Sequence, residues 1–222
     1  ANGGTCNEDL AVGLSEQIWA KFQALVGGTP LVSLTTDTSV IKQSDYLFPY
    51  LQEEAKASLE RTANSAGSPI FVTSCWRSPA QQYMRRIWYF YSSRYSHCNP
   101  TPTNVPGTSS HEGGLGVEIQ DYSFWRTAMI EFGWTWGGNN DANHFSYSSG
   151  NQQLDKEALR AFQIVWNAAN PDDPIDEDGF MEGRRLTGSK ITGQRMVVSQ
   201  PFVKDDELTV HEGNKQSDSV VL

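Results

Sequence analysis

The chain has 222 residues, above the soft prior of about 150 per domain, so one full domain with a smaller appendage is the economical division. A hydrophobic fraction of 38% with 11% aromatics supplies enough apolar surface for a core and excludes disorder over most of the length. A formal charge of -9 excludes general polyanion binding, so no nucleic acid is expected as a partner.

The opening Ala1-Asn2-Gly3-Gly4 carries no basic-then-apolar signal segment, although a mature end left by processing would look the same. No stretch approaches the ~18 apolar residues of a membrane-spanning helix, so a soluble chain without a membrane span is expected, as a monomer. Apolar residues at helical spacing from Leu10 to Val26 predict a first helix over Glu8 to Val26, stopped by Gly27-Gly28. Leu51, Ala55 and Leu59 predict a second over Pro49 to Ala63. Pro69 to Thr73 is a β-prone run feeding the loop Ser74-Cys75-Trp76-Arg77. Ser78 as cap and Pro79 at the first helical position start a third, aromatic-rich helix.

His97 to Ser110, rich in Pro, Ser, Thr and Asn, predicts an ordered loop. Strands are expected at Gly116 to Ile119 and His144 to Tyr147, with a helix over Phe124 to Phe132 between them. Without βαβ regularity the class is α+β, a small antiparallel sheet flanked by helices. Ser148-Ser149-Gly150-Asn151 sets a boundary near residue 150, giving a main domain over 1–150 and an extension over 151–222. The extension opens with an amphipathic helix, Leu154 to Asn167, then has an acidic turn-rich loop from Pro171 to Gly179 and a polar tail from Val203, with one short strand option at Leu208-Thr209-Val210.

Cys6, Cys75 and Cys98 lack the paired spacing of a zinc knuckle and suit a disulfide better. Cys75 and Cys98 flank one helical stretch and are one option for a bridge, with Cys6 free or paired otherwise; spacing leaves the connectivity open. A bridge would imply an oxidising compartment.

Chemistry concentrates in Ser109-Ser110-His111-Glu112-Gly113-Gly114-Leu115-Gly116-Val117-Glu118 and Asp141-Ala142-Asn143-His144-Phe145. Two imidazoles and a carboxylate suit a catalytic zinc site with a fourth position open, and the glycines allow the tight turn that would bring His111 to Glu118. Asp141, three residues before His144, is the candidate general base, and Arg77 the candidate for stabilising an oxyanion or gripping a substrate carboxylate. Taken singly, His111 in a Gly-rich loop is an ordinary structural residue, Asp141 a turn former and Arg77 a surface ion-pair partner. Glu112 is expected as a solvated charge, and His97 and His211 as non-ligands. Trp134, Trp136 and Phe145 are expected in the core.

The order Trp76-Arg77-Ser78-Pro79-Ala80-Gln81-Gln82, Ser109 and His111 with Gly114 and Glu118, Gly133-Trp134, then Asp141 to Phe145 resembles the VanY-type D-alanyl-D-alanine carboxypeptidases and their L-alanyl-D-glutamate endopeptidase relatives, over about residues 65 to 147. The resemblance implies Zn2+ on His111, Glu118 and His144, base action by Asp141 and substrate or oxyanion contact by Arg77. It implies a hydrolase of peptidoglycan stem peptides, secreted or in the cell envelope. Two positions depart from the family pattern. Gly116 replaces Ala, an exchange of small residues, and Glu118 replaces Asp, which adds a methylene and requires the backbone or the ion to shift. The other reading is a catalytically silent wall-binding protein that kept the fold. A third is a protein using zinc for stability alone. Ala158 to Asn167 with Asp178-Gly179 resembles, more faintly, the helix and turn of small peptidoglycan-binding modules.

Overall fold

The structure is a computed structural model describing residues 8–28, 30–34, 41–43, 48–93, 95–98, 101–148, 154–181, 194–197 and 200–204. For 8–9, 41–43, 97, 194–197 and 200–204 only the backbone is described. Cys6, His211, the Leu208-Thr209-Val210 option and the break at 149–153 lie outside the described residues.

The class is α+β. A 3-10 turn at Glu8–Ala11 leads into α1 (Val12–Leu25), which buries Ile18 and Phe22 on its inner face. Strand β1 (Leu31–Ser33) pairs antiparallel with β3 (Tyr50–Gln52). The helix predicted from Pro49 therefore begins later, as α2 (Glu53–Ala66). The four-residue recurrence of Leu51, Ala55 and Leu59 suits both outcomes, but the Leu51 backbone pairs with Val32 in the ladder. Local periodicity yields there to a tertiary strand partner.

The main sheet runs in the order β2 (Ile41–Gln43), β4 (Ile70–Ser74), β5 (Gly116–Ile119), β7 (His144–Tyr147), β6 (Trp134–Trp136). It is antiparallel except for β2, which runs parallel to β4. One face carries Ile70, Val72, Val117, Ile119, Trp134, Phe145 and Tyr147 into a core shared with Leu59 of α2 and with Trp125 and Met129 of α4 (Tyr122–Glu131). The predicted strands at Gly116–Ile119 and His144–Tyr147 have these bounds.

A second core lies among α1, α3 (Pro79–Phe90) and α5 (Asp155–Ala169), built from Ile18, Phe22, Trp76, Met84, Trp88, Leu159 and Phe162. Ser78 caps α3 as expected, its hydroxyl accepting from Gln81 N while the Gln81 side chain accepts from Ser78 N. The helix predicted to open the extension is thus one layer of the same core as α1. The Asp178-Gly179 turn folds back on α5, where Gln163 donates to Asp178 and to the Phe180 carbonyl and accepts from Gly179 N. Beyond it, β8 (Gln194–Val197) and β9 (Gln200–Lys204) pair antiparallel, so a hairpin partner stands where the polar tail was expected to begin.

Candidate metal centre

The site occupies the sheet face opposite the first core. Period-two alternation sends Val117 and Phe145 inward and leaves Gly116, Glu118, His144 and Ser146 on the other side. The register then places Glu118 opposite His144 and Gly116 opposite Ser146. In β4, Val72 pairs with Ile119 and Ser74 with Glu118. Two steps along β4 thus answer one along β5, a bulge that turns Ser74 from the core face to the Glu118 face.

His111 reaches this face from the loop before β5. Gln52 pins that loop from β3, its side chain donating to the Gly113 carbonyl and its backbone N–H to Gly114. Trp76 Nε1 donates to the Glu112 carbonyl from the other side. Glu112, expected in solvent, is fully buried instead. Its carboxylate accepts from Gly107 N at 2.8 and 3.0 Å and from Ser109 N at 3.2 Å, folding the loop onto itself just before His111. Burial still outweighs those donors and raises its pKa to about 8.

The two imidazoles converge: His111 Nε2 lies 3.1 Å from His144 Nδ1. His111 Nδ1 is 2.6 Å from the Cys75 carbonyl, which can only accept, so that nitrogen carries the proton and Nε2 a lone pair. His144 Nε2 is 2.8 Å from Ser146 Oγ, whose own hydrogen goes to Ser110 Oγ at 3.2 Å. Ser110 Oγ also lies 3.4 Å from Nε2, so the two hydroxyls serve either tautomer of His144, and Nδ1 meets His111 Nε2 at hydrogen-bond distance. Burial lowers both pKa values, that of His144 to about 4, so both rings are neutral at pH 7. With the proton on Nδ1, His144 donates to His111 Nε2; with it on Nε2, both facing nitrogens offer lone pairs to an electrophile.

Glu118 Oε1 is 3.8 Å from His111 Nε2. Ligands on one tetrahedral zinc with bonds of about 2.0–2.1 Å stand about 3.3 Å apart. The nitrogen pair meets this spacing, while the carboxylate stands off by about 0.5 Å. As they stand, no three His, Cys, Asp or Glu side chains among the described residues close on one point. Oε1 also accepts from Arg77 Nη2 at 2.8 Å and from Arg85 Nη1 at 3.0 Å. These cations hold the Glu118 pKa well below the usual carboxylate range despite its burial. The donor types suit zinc, with Glu118 standing beyond ligand spacing from His111.

Arg77 lines the cleft, but from a buried position. It is 4% exposed and gives Nη1 to Gln82 and Nη2 to Ser74 as well as to Glu118. Asp141 ends a 3-10 turn (Asn139–Asp141), is partly buried and lines the cleft. Burial and the Glu118 charge raise its pKa to about 6. The cleft, about 440 Å3, is walled by Thr101 to Asn104, Asn140 and Tyr89 and floored by His111, Glu118 and His144. Arg85 was not anticipated from the sequence. Its signal was the polar stripe Gln82, Arg85, Tyr89 at helical spacing on α3, all three lining the cleft.

Two further expectations change. Cys75 is a free, buried thiol whose pKa burial pushes up, so the bridge between Cys75 and Cys98 does not form. Cys98 is disulfide-bonded. Gly116 is not a neutral exchange for Ala, because a Cβ there would lie 2.8 Å from His111 N and 2.7 Å from Ser110 Oγ. Gly116→Ala should cost about 1–3 kcal/mol of stability and weaken ion binding by displacing His111. Denaturant unfolding and a zinc titration check it, and a variant matching the parent in both would show that the loop yields freely.

No protein-family model matches the chain, and no curated protein matches it in sequence.

Proposed function

We propose that the cleft is a zinc-dependent hydrolytic site acting on peptide bonds of peptidoglycan-like stem peptides. The observation carrying this reading is the pair of neutral imidazoles whose nitrogens meet at 3.1 Å beside a carboxylate. Each opposite nitrogen has a hydrogen-bond partner, His111 the Cys75 carbonyl and His144 the Ser146 hydroxyl. Such outer partners are how histidine ligands are oriented toward an ion.

His111 Nε2, His144 Nδ1 and Glu118 Oε1 would hold the zinc, which supplies Lewis acidity that lowers the pKa of water toward about 7 and polarises a carbonyl. The chain's own groups do the rest. Asp141, at the cleft wall with a pKa of about 6, is ionised at neutral pH and takes the proton of the attacking water. It later returns that proton to the departing amine. Arg77 acts through Glu118, as a positioning residue. The polar wall from Thr101 to Asn104 with Asn140 offers hydroxyl, amide and carbonyl groups to an extended peptide. The substrate class itself comes from the resemblance of Trp76 to Gln82, Ser109 to Glu118 and Asp141 to Phe145 to the VanY-type family, as does a place in the envelope or outside the cell.

The test uses two defined stem peptides, one ending in D-Ala-D-Ala and one holding an L-Ala-D-Glu bond. Cleavage of one is expected, lost with a chelator and restored by zinc. Turnover that persists in chelator would overturn the metal role. Binding of both peptides with zinc bound and no cleavage would favour the silent wall-binding reading.

A further inference from the structure

We propose that Arg85 is a latch that competes with the divalent cation for Glu118, a proposal resting on the metal reading above. Glu118 Oε1 already accepts from two guanidinium groups, Arg77 at 2.8 Å and Arg85 at 3.0 Å. A carboxylate oxygen has two lone-pair directions, so an ion bonding to it must displace a donor or share with one. The two arginines are unequal. Arg77 is 4% exposed and is held to Gln82 and Ser74, each at 3.0 Å. Arg85 is 26% exposed, stands on the second turn of α3 and lines the open cleft. Arg85 is the one that can leave.

Electrostatics points the same way. A dication within a few ångströms of two guanidiniums is repelled, and around the largely buried Glu118 solvent screens that repulsion poorly. Withdrawing Arg85 into the cleft relieves the share of the repulsion that comes from the more exposed guanidinium. The same motion frees Glu118 Oε1 to close its 3.8 Å separation from His111 Nε2. Without an ion, Arg85 and Arg77 neutralise the buried carboxylate and hold it off the histidines. With one, Arg77 alone keeps Glu118 in register.

The experiment is a zinc titration of the full chain against a competing chromophoric chelator, for the parent, Arg85→Met, Arg85→Lys and His111→Ala, with thermal melts to verify folding. Arg85→Met keeps most of the side-chain volume without the charge and should bind zinc at least tenfold more tightly. Arg85→Lys, still charged but with a compact, more strongly hydrated head, should fall between Arg85→Met and the parent. His111→Ala should lose the site. Equal or weaker binding by folded Arg85→Met, with the parent binding through His111, would overturn the latch and leave the metal reading intact. Failure of both parent and Arg85→Met to bind zinc would overturn both.

Discussion

Glu118→Ala is expected to lower the unfolding free energy by about 3–5 kcal/mol at pH 7, the usual result of removing one partner from a buried ion pair. The loss comes from what remains. Arg77, 4% exposed, keeps its bonds to Gln82 and Ser74 but loses the charge that balanced it. Arg85 is more exposed and turns to solvent at little cost. Urea unfolding measures the difference, and a loss below about 1 kcal/mol would mean that water already reaches Arg77. The pH dependence separates this pair from the rest of the fold. Glu118 has a folded pKa below its unfolded value near 4.3. Its contribution is therefore complete above about pH 4.3 and fades as pH falls through the folded pKa. Glu112 has the opposite sign. Its folded pKa of about 8 exceeds the unfolded value, so burying it costs stability progressively from about pH 4.3 up to about 8. These two slopes meet near pH 4–5, and Glu118→Ala should remove the Glu118 share of the acid limb while leaving the share of the depressed His111 and His144 and the alkaline limb.

The parts of this site legible in the sequence are those set by short-range rules. Strands β5 and β7 follow from alternation, which also forces Glu118, His144 and Ser146 onto one face once Val117 and Phe145 claim the core. The start of α3 follows from Ser78 and Pro79. What could not be read depends on distant partners. Glu112 looks like a solvated charge until Gly107 and Ser109 fold back onto it. Tyr50-Leu51-Gln52 looks helical until β1 offers a ladder. The bulge that turns Ser74 toward Arg77 is a property of the pairing between β4 and β5 and has no local signature. Arg77 illustrates the difference between type and role. Its presence beside the site was read from its motif, but its direction is fixed by three acceptors on three segments, and these join it to Glu118 in the cleft lining.

Asp141→Asn is expected to reduce hydrolysis by about 10²- to 10⁴-fold with a far smaller loss of zinc affinity, the signature of a general base outside the ligand set. Its amide matches the carboxyl in shape and fits above Gly137, where an added Cβ would lie 2.7 Å from the Asp141 carbonyl and space is tight. The amide cannot take a proton, so the loss should fall on kcat more than on KM. The pH profile gives an independent reading. In the ion-free site burial and the Glu118 charge lift the Asp141 pKa to about 6. A base works ionised, so kcat/KM should rise with pH through that range and then level. Bound zinc favours the ionised form and moves the rise to or below pH 6. The Asn variant should lack this limb altogether. A variant that still cleaves at the parental rate, or that keeps the rise near pH 6, would transfer the proton to another group and return Asp141 to the role of a turn former between Gly138 and His144.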